Sequence, residues 1–133
     1  LAAHGERLRL LWLQHTVAPS FNVWTLLAPM HIQRVALFGG EGWGVSVHRQ
    51  LGAAGIVCPV VIDNNAGTRR AAMVAAPYYS LPEYLRHAPP VDAVVSSLQG
   101  DHDVDVLADV QDRVGPSVPV LSWKMLLSFV LES

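Results

Sequence analysis

The chain has 133 residues, 51% of them hydrophobic and only 15% charged, with a formal net charge of −2. That length suits one domain with a sizeable buried core, and so slight a charge gives no electrostatic reason to expect nucleic acid or an anionic membrane as partner. A surface this poor in charge suggests that part of its apolar area is covered, by a partner, by self-association or by a neighbouring domain.

No apolar run approaches the roughly 18 residues of a membrane span, and Glu6, Arg7 and Arg9 interrupt the apolar core that a signal peptide needs. Cys58 is the one cysteine. Inside an apolar run it reads as a small buried thiol, which suits a reducing, cytoplasmic compartment. The start at Leu1 suits a processed or excised piece.

Residues Gly5 to His15 predict an amphipathic helix, with Leu8, Leu11, Trp12 and His15 three and four apart. Val17-Ala18-Pro19-Ser20 breaks it, and Ser20 can cap a short second helix through Trp24 and Leu27, closed at Pro29. Residues 1–30 are therefore expected to form an N-terminal helical extension. It either packs on a sheet edge or makes a homo-oligomeric or interdomain contact, since Trp12, Phe21 and Trp24 are residues that interfaces favour.

Residues 31–133 predict the domain proper. Val35–Phe38 is apolar without alternation, as in a parallel strand buried on both faces. A helix is expected from about Gly44 to Ala54, burying Val47 and Leu51 and stopping at Gly55. Val57–Ile62 is the second strand, with Pro59 as an irregularity inside it, and Asp63-Asn64-Asn65-Ala66-Gly67 is a loop. Met73–Ala76 suits a short third strand, and Leu81–Leu85 a brief helix with Pro82 in its first turn.

Val91–Val95 is the fourth strand, ending at Ser96 and Ser97. A helix over Asp103–Val114 should bury Val106, Leu107, Val110 and Val114 and stop at Gly115-Pro116. Val118–Leu121 is the fifth strand, followed by a C-terminal helix from Trp123 to Leu131 that is apolar nearly all round, so that more than one of its faces needs cover.

Alternating strands and helices imply an α/β domain in three layers, with a parallel sheet whose simplest order is 3-2-1-4-5. A crevice then opens at the carboxyl ends of strands one and four, where the order reverses. Gly39, Gly40, Glu41, Gly42, Trp43 and Gly44 reach it from the first loop, Ser96, Ser97 and Leu98 from the fourth, and Asp63 ends the neighbouring strand. Glycines there turn the chain sharply and bring backbone N–H groups to a helix start, where an anion can be held.

Asp63 would accept hydrogen bonds from ribose hydroxyls, or else it begins a turn. Ser96 and Ser97 would touch a ligand or cap the next loop, and Trp43 would stack on a base or pack inward. Arg69 and Arg70 read as a solvated basic pair or a phosphate contact. Asp101, His102, Asp103 and Asp105 read as an acidic first helical turn rather than as metal ligands. No catalytic set emerges, and His48 and His87 read as solvated or structural.

The segments V-A-L-F-G-G-E-G-W-G (35–44), V-I-D-N-N (61–65), V-A-A-P-Y-Y-S-L-P-E-Y-L (74–85), V-D-A-V-V-S-S (91–97) and V-P-V-L (118–121) together resemble a family of small bacterial Rossmann-like, NAD(P)- or CoA-binding-like domains. Such domains stand at the front of nucleotide-sugar acyltransferases and as appendages to glycosyltransferases and methyltransferases. The resemblance runs from about Arg34 to Trp123 and implies a nucleotide-type ligand, NAD(P) or a nucleotide sugar, in the crevice.

Gly39 and Gly44 keep the family's first and third glycines, but Glu41 stands at the middle one, where backbone must approach a pyrophosphate closely. Carboxylate and phosphate at such range repel by about 3 kcal/mol at an effective dielectric near 20, or about two powers of ten in affinity. Either Glu41 satisfies the helix amides in place of a phosphate, or the loop uses Gly40 and Gly42 and turns Glu41 outward. The reading is thus a Rossmann-like binding or scaffold domain with a degraded nucleotide crevice and no chemistry of its own. The alternative is the nucleotide-sugar- or NAD-binding part of an acyltransferase or oxidoreductase.

Overall fold

The computed structural model describes residues 27–39, 43–63, 76–87, 89–98 and 103–125. The expected N-terminal helices before Leu27, most of the apolar C-terminal helix, and the loop residues Gly40, Glu41, Gly42, Arg69, Arg70, Asp101 and His102 lie outside the described residues. Strands β1 (Arg34–Phe38), β2 (Val57–Ile62), β3 (Tyr78–Tyr79), β4 (Ala93–Ser96) and β5 (Val120–Ser122) form one sheet in the order β3-β2-β1-β4-β5. Every neighbouring pair is parallel. Helices α1 (Trp43–Ala53), α2 (Leu81–His87) and α3 (Asp103–Val114), with a 3-10 turn at Ala28–Met30, complete the described elements, an α/β architecture consistent with a Rossmann-like fold.

The strands alternate strictly between two apolar cores. Val35 and Leu37 of β1, Val61 of β2, Ala93 and Val95 of β4 and Leu121 of β5 join Val47 and Leu51 of α1 on one face, together with Leu27 and Trp123. Ala36, Phe38, Val60, Ile62 and Val94 face the other way, onto Leu81 and Tyr84 of α2 and Val110 of α3. Both faces of β1 and β4 are covered, which is why these strands read as unbroken apolar runs.

Two helix ends are closed by left-handed glycines. At α1, Ile56 N donates to Leu51 O (3.0 Å) and Gly55 N to Gly52 O (3.0 Å), with Gly55 at φ 81° and the apolar pair Leu51 and Ile56 both buried. At α3 a single bond from Gly115 N to Gln111 O (3.1 Å) does the same work, with Gly115 at φ 89°. The start of α2 is a capping box: Glu83 N donates to Ser80 Oγ (3.3 Å) and Ser80 N to Glu83 Oε1 (3.1 Å).

Pro59 sits at an irregularity of β2. Between β1 and β2 the register slips, Arg34 facing Val57 but Ala36 facing Val60, so the extra β2 residue falls at Cys58-Pro59. Val61 N and Asp63 N donate to Pro77 O and Tyr79 O of the β3 segment, and β3 pairs only with Val61 and Ile62. Two residues before Val61, Pro59 falls on the edge of β2 that faces β3 but ahead of the stretch where the β3 pairing begins.

Three expected strand spans and one expected burial need correction; the fourth strand is Ala93–Ser96 rather than Val91–Val95. The third strand is Tyr78–Tyr79 rather than Met73–Ala76; Ala76 lies in a bend, and Met73 to Ala75 are outside the described residues. The fifth strand is Val120–Ser122 rather than Val118–Leu121, since its pairing with β4 begins at Val120; on the outer edge the Gln111 side chain takes Val118 O (2.8 Å) and Val120 N (2.9 Å). Val106 is 39% exposed rather than buried. The inward stripe of α3 runs Asp103, Leu107, Val110, Val114 at helical spacing, and an acid, not a valine, opens it.

Candidate functional site

The structure brings the ends of β1, β2 and β4 together at one edge of the sheet. Phe38 pairs with Ile62 on one side and Ser96 on the other. Gly39 N then donates to Ile62 O (2.8 Å), and Ser97 N to Phe38 O (3.0 Å). Asp63 directly follows Ile62 and its own N–H bonds Tyr79 O (2.7 Å), so it stands beside Gly39 at the strand ends. Among the expected site residues, Gly39, Trp43, Gly44, Asp63, Ser96 and Ser97 are described; Gly40, Glu41 and Gly42 lie outside the described residues.

Gly39 and Gly44 are glycines for reasons of space. Gly39 has φ 94°, and a Cβ on it would lie 2.6 Å from Ser97 Oγ. A Cβ on Gly44 would lie 2.1 Å from Gly39 O, because the first turn of α1 presses on the end of β1. These are a tight turn after the first strand and a close helix–strand contact, the roles that the first and third glycines play in dinucleotide-binding turns.

The serines are committed to the backbone. The Ser97 hydroxyl donates to Gly39 O (2.7 Å) and shares its proton with Phe38 O (3.1 Å), and the residue is buried. Ser96 Oγ accepts the Leu98 N–H (3.1 Å). Both hydroxyls therefore shape the exit of β4. Trp43, which the sequence left between stacking on a ligand and packing, packs: its ring meets Trp123 at a centroid distance of 5.2 Å and 59° between planes.

Trp123 is fully buried, and its indole Nε1 donates to Leu98 O (2.7 Å). The following Lys124 pairs through Nζ with Asp103 Oδ2 (3.1 Å), with side-chain exposures of 20% and 8%. Of the acidic cluster suspected at the start of α3, Asp103 is thus an inward-facing partner for a lysine, and Asp105 is exposed. No group of three or more His, Cys, Asp or Glu among the described residues could hold a metal ion.

Two other titratable side chains, Cys58 and Asp92, bond the backbone. Half-buried Cys58 donates to Val60 O (3.5 Å), and burial pushes its thiol above its usual pKa. Burial lowers the imidazole of His48 on α1. Three contributors escaped the sequence reading: Asp92, Gln111 and Lys124. Asp92 Oδ2 accepts the N–H groups of Gln33 and Arg34 (both 2.9 Å) at the start of β1, which holds its carboxyl below the usual range. A lone Asp ahead of an apolar run carries no local signal for that role. The capping box did carry one, in Ser80-Leu81-Pro82-Glu83.

Among the described residues no helix is long and apolar enough to cross a membrane. The chain matches no protein-family model and no curated protein sequence.

Proposed function

We propose that this chain is a Rossmann-type binding or scaffold domain whose strand-end crevice is occupied by its own side chains and which carries no chemistry of its own. The observation that carries the reading is the Ser97 hydroxyl, 2.7 Å from Gly39 O, at the point where a ligand would enter between the first and fourth loops. Ser96, Trp123, Asp103 and Lys124 are likewise engaged in holding the chain. Self-association through the terminal helices belongs to the same proposal. Sedimentation of the Trp12→Ala/Trp24→Ala variant tests it: loss of a dimer supports the contact, and an unchanged dimer rejects it.

A second reading is favoured by Gly39, Gly44 and the strand-end position of Asp63: a site for a nucleotide-type ligand, NAD(P) or a nucleotide sugar, serving an acyltransferase or oxidoreductase. A thermal-melt panel of NAD, NADP, CoA, UDP-sugars and S-adenosylmethionine separates the two. A true ligand at a hundred times its Kd stabilises by about 2.7 kcal/mol, several degrees in Tm. A flat panel supports the closed scaffold. A shift with one nucleotide class that Asp63→Ala abolishes refutes it and supports the second reading.

A further inference from the structure

We infer that Trp123 and Lys124, two consecutive residues just beyond β5, are positioning residues that brace the ends of both loops at the strand ends, so that the placement of those ends is set from the C-terminal side of the chain. The inference rests on reading those strand ends as the domain's crevice, whether closed by its own side chains or open to a ligand.

The dipeptide reaches three of the four loop ends. Trp123 holds the start of the β4–α3 loop through its indole bond to Leu98 O, and Lys124 holds its finish through Asp103, the first residue of α3. The Trp123 ring also packs on Trp43, the first residue of α1, at the finish of the β1–α1 loop. The fourth end, Gly39, is tied to the β4 exit by Ser97. The brace is itself anchored: Lys124 N donates to Ser122 Oγ (3.2 Å), which fixes the turn out of β5, and Trp123 is buried in the α1-side core.

Nothing in the β1–β4 pairing requires the starts of α1 and α3 to depend on each other, since the two helices pack on opposite faces of the sheet. Trp123 and Lys124 bridge that divide around the sheet's end. A change at residues 123–124 should therefore reach both helix starts at once, which a local packing role would not do.

Native-state hydrogen exchange of the unliganded chain tests this. The amides of Val47 and Leu107 report the helix bonds that end on Trp43 and Asp103, and Val61, bonded to Pro77 O, is the internal reference. Lys124→Met and Trp123→Phe are each expected to speed exchange at both Val47 and Leu107 by tenfold or more relative to Val61, and Lys124→Arg to restore wild-type rates. Acceleration at Leu107 alone overturns the brace, as does a uniform change that includes Val61 or a Lys124→Met variant indistinguishable from wild type. Because no ligand is present, a flat ligand panel rejects the nucleotide reading without altering any of these outcomes.

Discussion

Helix α1 carries two glycines, and the same substitution at each should act with opposite sign. A Cβ at Gly44 would sit 2.1 Å from Gly39 O and 3.2 Å from Ser97 Oγ, where ordinary contact begins near 3.4 Å. The obstruction is backbone, not the tip of a flexible side chain, and α1 cannot withdraw freely because Val47 and Leu51 are locked in the core. Overpacking of this kind costs about 1–3 kcal/mol, and a backbone clash belongs at the upper end. At Gly52 a Cβ meets nothing within 4 Å. There Gly52→Ala gains helix propensity and restrains the unfolded chain, stabilising by about 0.5–1 kcal/mol. The two variants should thus differ by about 3–4 kcal/mol, which at a urea m value near 2 kcal/mol/M separates their midpoints by nearly 2 M. Urea titrations followed by tryptophan fluorescence give the comparison directly. A Gly44→Ala midpoint within about 0.3 M of wild type would refute the close approach of α1 to the end of β1, and with it the geometry of the crevice.

His31 adopts φ 58° where the chain leaves the Ala28–Met30 turn and Ile32 N returns to Leu27 O (3.3 Å); His31→Gly removes that left-handed strain and should stabilise by about 0.5–1 kcal/mol in the same titration. Asp92→Ala frees the N–H groups of Gln33 and Arg34 and should cost on the order of 1 kcal/mol at pH 7, after allowance for solvent screening at this exposed position. Because the folded carboxyl titrates below its unfolded value near 3.9, that contribution is present above about pH 4 and vanishes as pH falls through the folded pKa, so wild-type and Asp92→Ala stabilities should converge in acid. Gln111→Leu strips partners from Gly115 O, Val118 O and Val120 N, and should cost about 1–3 kcal/mol while baring the β5 edge, read as a lower midpoint and as concentration-dependent light scattering.

What was legible in the chain was whatever periodicity or a turn residue marks. β2 and α3 fall where apolar pattern and the stops at Gly55 and Gly115 put them, since buried parallel strands and glycine-ended helices leave composition behind. β3 was misplaced because two paired residues, Tyr78 and Tyr79, carry no period. The rotation of α3 was misjudged because valine spacing alone admits Val106 on the inner face. The helix turns instead to bring Asp103 to Lys124, a residue twenty-one positions away that no local pattern reveals. At the crevice, the convergence of Gly39, Asp63 and Ser97 followed from strand order alone, whereas the partners of each side chain did not.

This bears on how much the glycine turn says about ligands. Gly39 is required by its left-handed backbone and by Ser97 Oγ, and Gly44 by the carbonyl of Gly39. Both needs are met within the chain, with no phosphate in the account, so the two glycines alone do not distinguish a nucleotide site from a scaffold that packs the same way. Ser97 adds a term to that comparison. An anion that displaced the Ser97 hydroxyl would leave Gly39 O without that donor, while Phe38 O would keep the Ser97 N–H (3.0 Å), at a cost of about 1–3 kcal/mol. Added to the roughly 3 kcal/mol of repulsion that Glu41 would contribute if it faced the ligand, that is some 4–6 kcal/mol, or three to four powers of ten in affinity, to be offset before any binding is seen.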